Sequence, residues 1–379
     1  MGKFKICLPE KTDVEEFVKS LSFVSENIEG FELNGSELTI TVSDDSDVDG
    51  LKSSLEKAML KYKKNTVAEV YYENSVDMEF NDFWVDDEVI NFGNGQIGFN
   101  EKGKFLLEYF DLLFSRIAFD MGAVEKHYPV LLPIREYALT GYIKKSPQYA
   151  IFCSPVADSL DTMEQADKAI EASKVGKLMK EPTYALSPSA CFHTYIEYRN
   201  KVLEKETIVT FKQNVFRNEG RLNYDEIGRL MDYQVREIVM IGDDNYVVRI
   251  RDAIMEKSAE LMKALGLKGD ITLASDSFIM PKMQLYKKIQ RIDKSKYEMH
   301  LYVSDKKVIS TASFNLHGKA FTDPFNIGLR GCNDTVTACV GFGLQRWVIA
   351  FVTQHGWNEE AWPEEVRNQY SLYKSQRKS

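Results

Sequence analysis

Two long β-rich segments near the middle of the chain constrain its fold most strongly. Residues 208–216 and 231–240 are rich in β-branched and aromatic residues, and a polar loop joins them. Segments of this kind pair as antiparallel strands. Two more strand-like segments follow at 297–303 and 308–314, and the glycine-punctuated segment 341–346 leads into an apolar helix. Because the order repeats no βα unit, we expect an α+β fold with a mixed, mostly antiparallel sheet flanked by helices.

The beginning of the chain predicts a separate, smaller unit. Residues 3–8 and 37–43 alternate polar and apolar side chains, as half-buried strands do. An amphipathic helical pattern that begins at an aspartate follows each of them. We therefore predict a small acidic α+β domain at residues 1–95 and a catalytic domain at residues 96–379.

The charge is concentrated in the predicted N-terminal domain. Residues 1–100 hold nine lysines and 21 acidic residues, a net charge of −12, while the net charge of the whole chain is −9, so the remainder carries +3. An acidic region repels a phosphate backbone. This asymmetry predicts that the N-terminal part is not a nucleic-acid-binding arm; a solvated acidic surface without a partner is the alternative.

Length and composition place the chain in the cytoplasm and away from the membrane. The longest apolar run, Trp347–Val352, is far shorter than the roughly 20 residues that a membrane span needs. The N-terminus lacks the apolar stretch of a secretory signal. Five cysteines among 379 residues form no disulfide framework, so we expect reduced thiols or metal ligands.

A glycine pattern at residues 93–98 matches the dinucleotide-binding sequence GxGxxG. The preceding residues 86–91 are too polar for the buried strand that such a nucleotide site requires. We therefore interpret these glycines as a turn leading into the helical stretch 104–121.

Arginines mark both ends of the loop that joins the two long strands. Arg217 opens this loop and Arg229 closes it. Guanidinium groups pair with phosphate oxygens and offset the charge that develops on them, so a hairpin of this kind suits a triphosphate. Surface arginines without a ligand are the structural alternative. A second element favours the phosphate-binding interpretation: two glycines precede Arg346, which lies in the first turn of a helix.

Together these elements resemble motifs 2 and 3 of the class II aminoacyl-tRNA synthetases. The resemblance implies that Arg217 binds the α-phosphate of ATP and Arg346 the γ-phosphate, which makes them the candidate catalytic residues. It also implies that Glu219 and Tyr233 contact adenine and that Arg229 belongs to the nucleotide site. A motif 1-like segment at 125–133 implies a homodimer.

Three possible metal ligands accompany these motifs. Cys191 precedes motif 2, Glu237 ends it and Cys339 opens motif 3. The same positions bind zinc in the methanogenic-type seryl-tRNA synthetases and in their truncated relatives, the amino acid:carrier protein ligases, which this chain resembles. The resemblance therefore implies a zinc ion with one open position, which a substrate α-amino group can take.

Further segments resemble the substrate pocket of that family. Residues 274–278, 296–298 and 312–317 match the blocks between motifs 2 and 3, so Glu298, Ser313 and Asn315 are candidate substrate contacts. The strand 308–313 lacks the acidic residue that often binds magnesium in class II enzymes. Either Glu298 takes that role, or Mg²⁺ is held differently.

The resemblance covers residues 100–360 and implies an adenylate-forming ligase. Because the N-terminal region is short and acidic, we predict transfer of the amino acid to the phosphopantetheine thiol of a carrier protein, with tRNA an unlikely partner. The resemblance suggests glycine or alanine as the amino acid, because a zinc-bound amine in a tight pocket leaves little room beyond Cα. An atypical zinc-dependent seryl-tRNA synthetase is the alternative. A non-catalytic paralogue that acts as a binding subunit is the third possibility, against which the retained arginines count.

Overall fold

The computed structural model describes residues 2–44, 47–64, 69–85, 87–224 and 227–377. The strands in this part of the chain are β1 (Gly2–Cys7), β2 (Ile28–Asn34), β3 (Glu37–Val42), β4 (Val70–Asn74), β5 (Val89–Gly93), β6 (Gln96–Phe99), β7 (Val124–Glu125), β8 (Leu131–Pro133), β9 (Ile151–Cys153), β10 (Tyr184–Leu186), β11 (Val202–Leu203), β12 (Thr207–Phe216), β13 (Asp232–Gly242), β14 (Gly269–Leu273), β15 (Lys296–Tyr302), β16 (Val308–Gly318), β17 (Gly328–Leu329) and β18 (Val336–Gly343). The helices are α1 (Val14–Val24), α2 (Val48–Met59), α3 (Glu101–Asp120), α4 (Ile134–Leu139), α5 (Tyr142–Lys145), α6 (Leu160–Glu164), α7 (Ala166–Glu171), α8 (Phe192–Glu197), α9 (Asp244–Ala264), α10 (Gln284–Ile292), α11 (Thr322–Phe325), α12 (Leu344–His355) and α13 (Glu364–Arg377).

An eight-stranded sheet in the order β4-β14-β15-β16-β18-β13-β12-β7 forms the centre of the molecule. Its neighbouring strands run antiparallel except β7 and β12, which are parallel. The two long strands predicted from the sequence are β12 and β13, and they pair along their full length. The predicted α+β fold with a mostly antiparallel sheet is thereby confirmed.

Three long helices cover one face of this sheet. Helices α3, α9 and α12 pack on the central strands, and alternate residues of each strand point towards them, as strand geometry requires. Arg236 of β13 donates hydrogen bonds to both carboxylate oxygens of Asp111 in α3, at 2.7 and 2.9 Å. The opposite face of the same strands is thereby left for the site.

Aromatic stacking between sheet and helix supplies a test of this core. The rings of Phe342 in β18 and Phe114 in α3 stack with centroids 4.2 Å apart, and both side chains are fully buried. Phe342→Ala should destabilise the protein by about 3–5 kcal/mol, because it removes a large ring and leaves a cavity. The control Phe119→Ala, at a half-exposed position of α3, should cost less than about 1 kcal/mol in guanidinium unfolding. Equal losses would contradict this packing.

The N-terminal segment has a core of its own. Strands β1 and β2 flank β3 in a three-stranded antiparallel sheet, and α1 and α2 bury their apolar faces with it. The predicted strands and helices of this segment are present; β2 was not predicted. Its apolar core ends at Tyr62, and β4 already belongs to the large sheet. The domain boundary at residue 95 stays a prediction.

The glycine pattern at 93–98 forms a hairpin. Gly93, Asn94 and Gly95 have positive φ and connect β5 to β6, so the glycines turn the chain between two strands, and α3 begins at Glu101. Residue 86 of the preceding polar segment lies outside the described residues. Among the residues that the structure describes, none of the helices is both long enough and apolar enough to span a bilayer.

Candidate active site

Three adjacent strands present polar side chains on the sheet face that the helices leave open. Tyr233 and Glu237 project from β13, Cys339 from β18, and Ser313 and Asn315 from β16. All are odd-numbered, because alternate residues of a strand point to the same face. In the register of the three strands, Gly341 of β18 pairs with Glu237 on one side and Ser313 on the other, and Cys339 pairs with Asn315. The antiparallel register therefore brings together residues that are about 100 positions apart in the sequence.

Gly341 is required by this register. A Cβ atom at residue 341 would lie 2.8 Å from a carboxylate oxygen of Glu237. Any larger residue would push that carboxylate away from its neighbours. The absence of a side chain at Gly341, one of the two glycines that precede Arg346, thus leaves room for the Glu237 carboxylate.

A cluster of three donor groups, two buried and one partly buried, lies at one end of this face. The ligand atoms of Cys191, His317 and Cys339 all lie within 4.8 Å of one another. His317 Nε2 is 3.3 Å from Cys339 Sγ, and Cys191 stands immediately before α8. Glu237 is buried beside the thiols and interacts with both. Of the set predicted from the sequence, Cys191 and Cys339 lie in the compact group, where His317 is the third member, and Glu237 lies beside it.

His317 was missed as a possible ligand although the segment 312–317 had been recognised. The period of two along β16 places His317 on the same face as Ser313 and Asn315, and this alternation could have identified it. Phe321 contacts the imidazole edge to face, with ring centroids 4.9 Å apart, which orients the ring towards the thiols.

The donor set fits a zinc ion. For tetrahedral zinc with a thiolate and an imidazole ligand, the two ligand atoms lie about 3.5 Å apart, close to the 3.3 Å between His317 Nε2 and Cys339 Sγ. Burial raises the pKa of Glu237 well above its usual range, with the Cys191 thiol adding to the effect. The hydrogen bond between the two thiols lowers the pKa of Cys191 and raises that of Cys339. A divalent cation would offset this concentration of acidic groups.

The predicted nucleotide-binding residues lie towards the other end of the same face. Two guanidinium groups lie over the Tyr233 ring: the ring centroid is 5.9 Å from the guanidinium carbon of Arg217 and 4.8 Å from that of Arg346. Arg217 Nε donates to the Pro188 carbonyl oxygen at 2.9 Å. Arg346 donates to the carbonyl oxygens of Gly228 and Ser310. These backbone contacts fix the planes of both guanidinium groups.

Glu219 and Arg229 extend this group of residues. Glu219 is 7% exposed, and its Oε2 lies 3.7 Å from Nη1 of Arg229. Both line a cavity of about 640 Å³ together with Arg217 and Arg346. A second cavity, of about 560 Å³, contains the donor cluster and also reaches Arg217 and Arg346. The cavities therefore share a wall and join the donor cluster to the arginines.

Ser313 and Asn315 lie beside the donor cluster. Asn315 Nδ2 donates to Ser313 Oγ at 3.1 Å and lies 3.7 Å from Cys339 Sγ. Glu298 of β15 is opposite Ser313 and faces both cavities. Its carboxylate pairs with Lys296 at 3.0 Å and with His300 at 3.5 Å. Glu298 thus already has two cationic partners, which would compete with a magnesium ion.

This ion cluster predicts a pH-dependent stability. Although burial disfavours the charged ring, hydrogen bonds to Asp270 and Glu298 raise the pKa of His300 to about 9. A raised pKa stabilises the fold below the unfolded value of about 6.5. The contribution, at most about 3 kcal/mol, disappears as pH rises through about 9. Urea unfolding at pH 7 and pH 10 should show a larger loss for wild type than for His300→Gln; parallel losses would contradict the prediction.

Comparisons with known proteins identify the fold. The fold is that of a class II aminoacyl-tRNA synthetase: the structure of Methanopyrus kandleri seryl-tRNA synthetase in complex with A. aeolicus tRNASec matches 98% of this chain and 77% of that chain, with a TM-score of 0.72 and 19% identity. The cytoplasmic serine–tRNA ligase of Naegleria fowleri, in complex with AMP, matches 86% of this chain and 71% of that one, with a TM-score of 0.57 and 8% identity. No model of a known protein family matches.

The sequence comparison is more specific than the fold. The chain is homologous to type-2 serine–tRNA ligases: it is 25% identical to that of Methanopyrus kandleri over 277 residues, which are 68% of this chain and 52% of the relative. It is 25% identical to that of Methanococcus maripaludis over 290 residues, 73% of this chain and 56% of the relative. The chain therefore spans about half the length of the curated relatives it matches.

These relatives correct the predicted acceptor. A phosphopantetheinylated carrier protein and the exclusion of tRNA are both overturned, because the homologous proteins are tRNA ligases. The predicted preference for glycine or alanine is also corrected, since the homologous ligases are named for serine. The charge argument failed because the net charge of the N-terminal part does not decide what the rest of the surface binds, and the remainder of the chain carries +3. The alternative reading, a seryl-tRNA synthetase, fits better.

Proposed function

We propose that this protein activates serine with ATP and transfers the seryl group to tRNA. The observation that carries the proposal is the shared sheet face on which the Cys191–His317–Cys339 cluster, with both thiols buried, lies next to the cavities that contain Arg217 and Arg346. Homology to type-2 serine–tRNA ligases supports the choice of substrates.

The proposed first step forms seryl-adenylate. A serine carboxylate oxygen attacks the α-phosphorus of ATP, the bond to the β-phosphate oxygen breaks, and pyrophosphate leaves. Arg217 pairs with the α-phosphate and offsets the charge that develops there, and Arg346 holds the γ-phosphate. Glu219, Arg229 and Tyr233 surround the adenine.

The amino acid lies at the other end of the face in this proposal. Cys191 and Cys339, with His317 and Glu237 beside them, would hold a zinc ion. If three of these four residues bind the metal, the zinc ion would supply a positive charge and a free coordination position for the amino group of serine. Ser313 and Asn315 border the serine side chain. In the second step a terminal hydroxyl of tRNA attacks the seryl carbonyl carbon, and AMP leaves.

ATP–pyrophosphate exchange without tRNA tests the first step. We expect exchange with serine, and we expect chelation to abolish it and zinc to restore it. Glycine and alanine are tested as alternative substrates in the same assay. Charging of total tRNA with labelled serine then tests the acceptor. Exchange with glycine or alanine alone would reject serine, and exchange without charging would reject tRNA.

A further inference from the structure

Helix α1 of the N-terminal segment lies against the cavity that contains the two arginines. Glu15, Glu16 and Lys19 of α1 line the cavity of about 640 Å³, opposite Arg217 and Arg229. This cavity is therefore closed on one side by the N-terminal segment. The sequence had given that segment no role.

An ion pair between the partly buried Glu16 and the buried Lys287 holds α1 in place. Glu16 accepts a hydrogen bond from the ammonium group of Lys287 in α10, which is only 5% exposed, and Ser277 Oγ lies 3.3 Å from the same carboxylate oxygen. Lys19 pairs with Glu16 at 3.1 Å. Although burial opposes ionisation, Lys19 and Lys287 lower the pKa of Glu16 to about 2. Breaking a buried pair by removing one partner is costly, so this contact resists separation.

Hydrogen bonds join the same helix region to the loop that follows β12. Asn223 Nδ2 donates both to the Lys19 carbonyl oxygen, at 3.1 Å, and to the Glu219 carbonyl oxygen, at 2.6 Å. The Leu222 N–H donates to Ser22 Oγ at 3.1 Å. A single buried amide thus connects α1 to the residue assigned to adenine.

A glycine permits this close approach. Gly220 has φ +89°, and a Cβ at that position would lie 2.5 Å from Ser22 Cβ and 2.7 Å from the Phe23 ring. Arg221 donates from Nη2 to the carbonyl oxygens of Glu26, at 2.7 Å, and of Ile28. The loop conformation and the docked N-terminal segment therefore depend on each other.

We propose that the N-terminal segment, residues 2–64, is a positioning element for ATP: docked α1 holds the loop at 217–224 so that Arg217 and Glu219 face the nucleotide cavity. Glu16 is then a positioning residue that acts through Lys287 and the loop. This inference rests on the proposed use of ATP. Because the donor cluster at the far end of the sheet face makes none of these contacts, loss of docking weakens ATP binding and leaves serine recognition intact.

A double-mutant cycle on the holoprotein tests the proposal. The variants are Glu16→Ala, Lys287→Ala and the double variant, with Glu37→Ala as the control because Glu37 forms an exposed ion pair with Lys5 in the same segment. ATP affinity is measured by calorimetry, and KM for ATP and for serine by exchange. We expect each single variant to weaken ATP binding by about tenfold, with the double variant no weaker than the singles. The control should match wild type.

A second variant guards against simple unfolding. Gly220→Ala pushes the loop from α1 at a second point of the same contact, where Gly220 faces Ser22 and Phe23 rather than the ion pair. Circular dichroism reports whether each variant is folded. Raised KM for ATP with an unchanged KM for serine in folded Gly220→Ala supports the proposal. Wild-type ATP affinity in all folded variants overturns it, and so do parallel losses of ATP and serine affinity. Absence of ATP binding by wild type would instead reject the proposed function.

Discussion

Arg217→Ala is expected to lower kcat/KM for ATP–pyrophosphate exchange by about 100- to 1,000-fold, because one guanidinium group offsets the charge that develops on the α-phosphate. The backbone bond from Nε to Pro188 holds the group in place before ATP arrives. Arg217→Lys should recover little, since an ammonium group lacks the planar fork that pairs with two phosphate oxygens.

The matched control for this prediction is Arg330→Ala. Arg330 is 70% exposed and pairs with Glu204 on the surface. The exchange rate of the Arg330→Ala variant should equal that of the wild-type protein. If Arg217→Ala kept the wild-type exchange rate while remaining folded, the α-phosphate assignment would be wrong.

The second large effect concerns the donor cluster. Cys339→Ser should lower zinc affinity by at least about 100-fold and abolish exchange with serine, because a thiolate ligand is lost from a site with few donors. Metal content after dialysis measures this independently of activity. Cys332→Ser, which changes a cysteine outside the cluster, should retain about one zinc per chain. Retention of zinc by Cys339→Ser would reject the site.

The identity of the third ligand can be decided in the same assay. His317 lies in the compact group with both thiols, so His317→Ala should lose more zinc affinity than Glu237→Gln. Cobalt substitution supplies a second readout, because the absorption of a cobalt–thiolate centre changes with its ligands. The opposite order would restore the set predicted from the sequence, Cys191, Glu237 and Cys339.

Much of the fold could be predicted from local pattern. The strands β12 and β13, β15 and β16, and the helix that starts at Leu344 all follow apolar periodicity and turn residues. Strand β2 was not predicted, because its residues, Ile28–Asn34, mix glycine and acidic residues with apolar ones. The hairpin at residues 93–98 was taken as a simple turn, since a four-residue strand such as β6 carries too little pattern to recognise.

The site was predictable only in part. Motif resemblance identified Arg217 and Arg346, and the structure places both against Tyr233. Resemblance to known ligands also named Cys191, Glu237 and Cys339 as candidates. It did not identify His317, although the period of two along β16 places this residue on the same face as Ser313 and Asn315.

The sequence by itself determined the long strands and helices, where glycine is needed, and which residue types are available for phosphate and metal. Those properties depend on neighbours within a few positions along the chain. Only the tertiary structure decided that β18 lies between β13 and β16, that His317 faces Cys339, and that α1 docks on the loop after β12. The reason is physical: strand register and buried ion pairs join residues as far apart as Glu16 and Lys287, and no local preference encodes which distant partner a buried charge will meet.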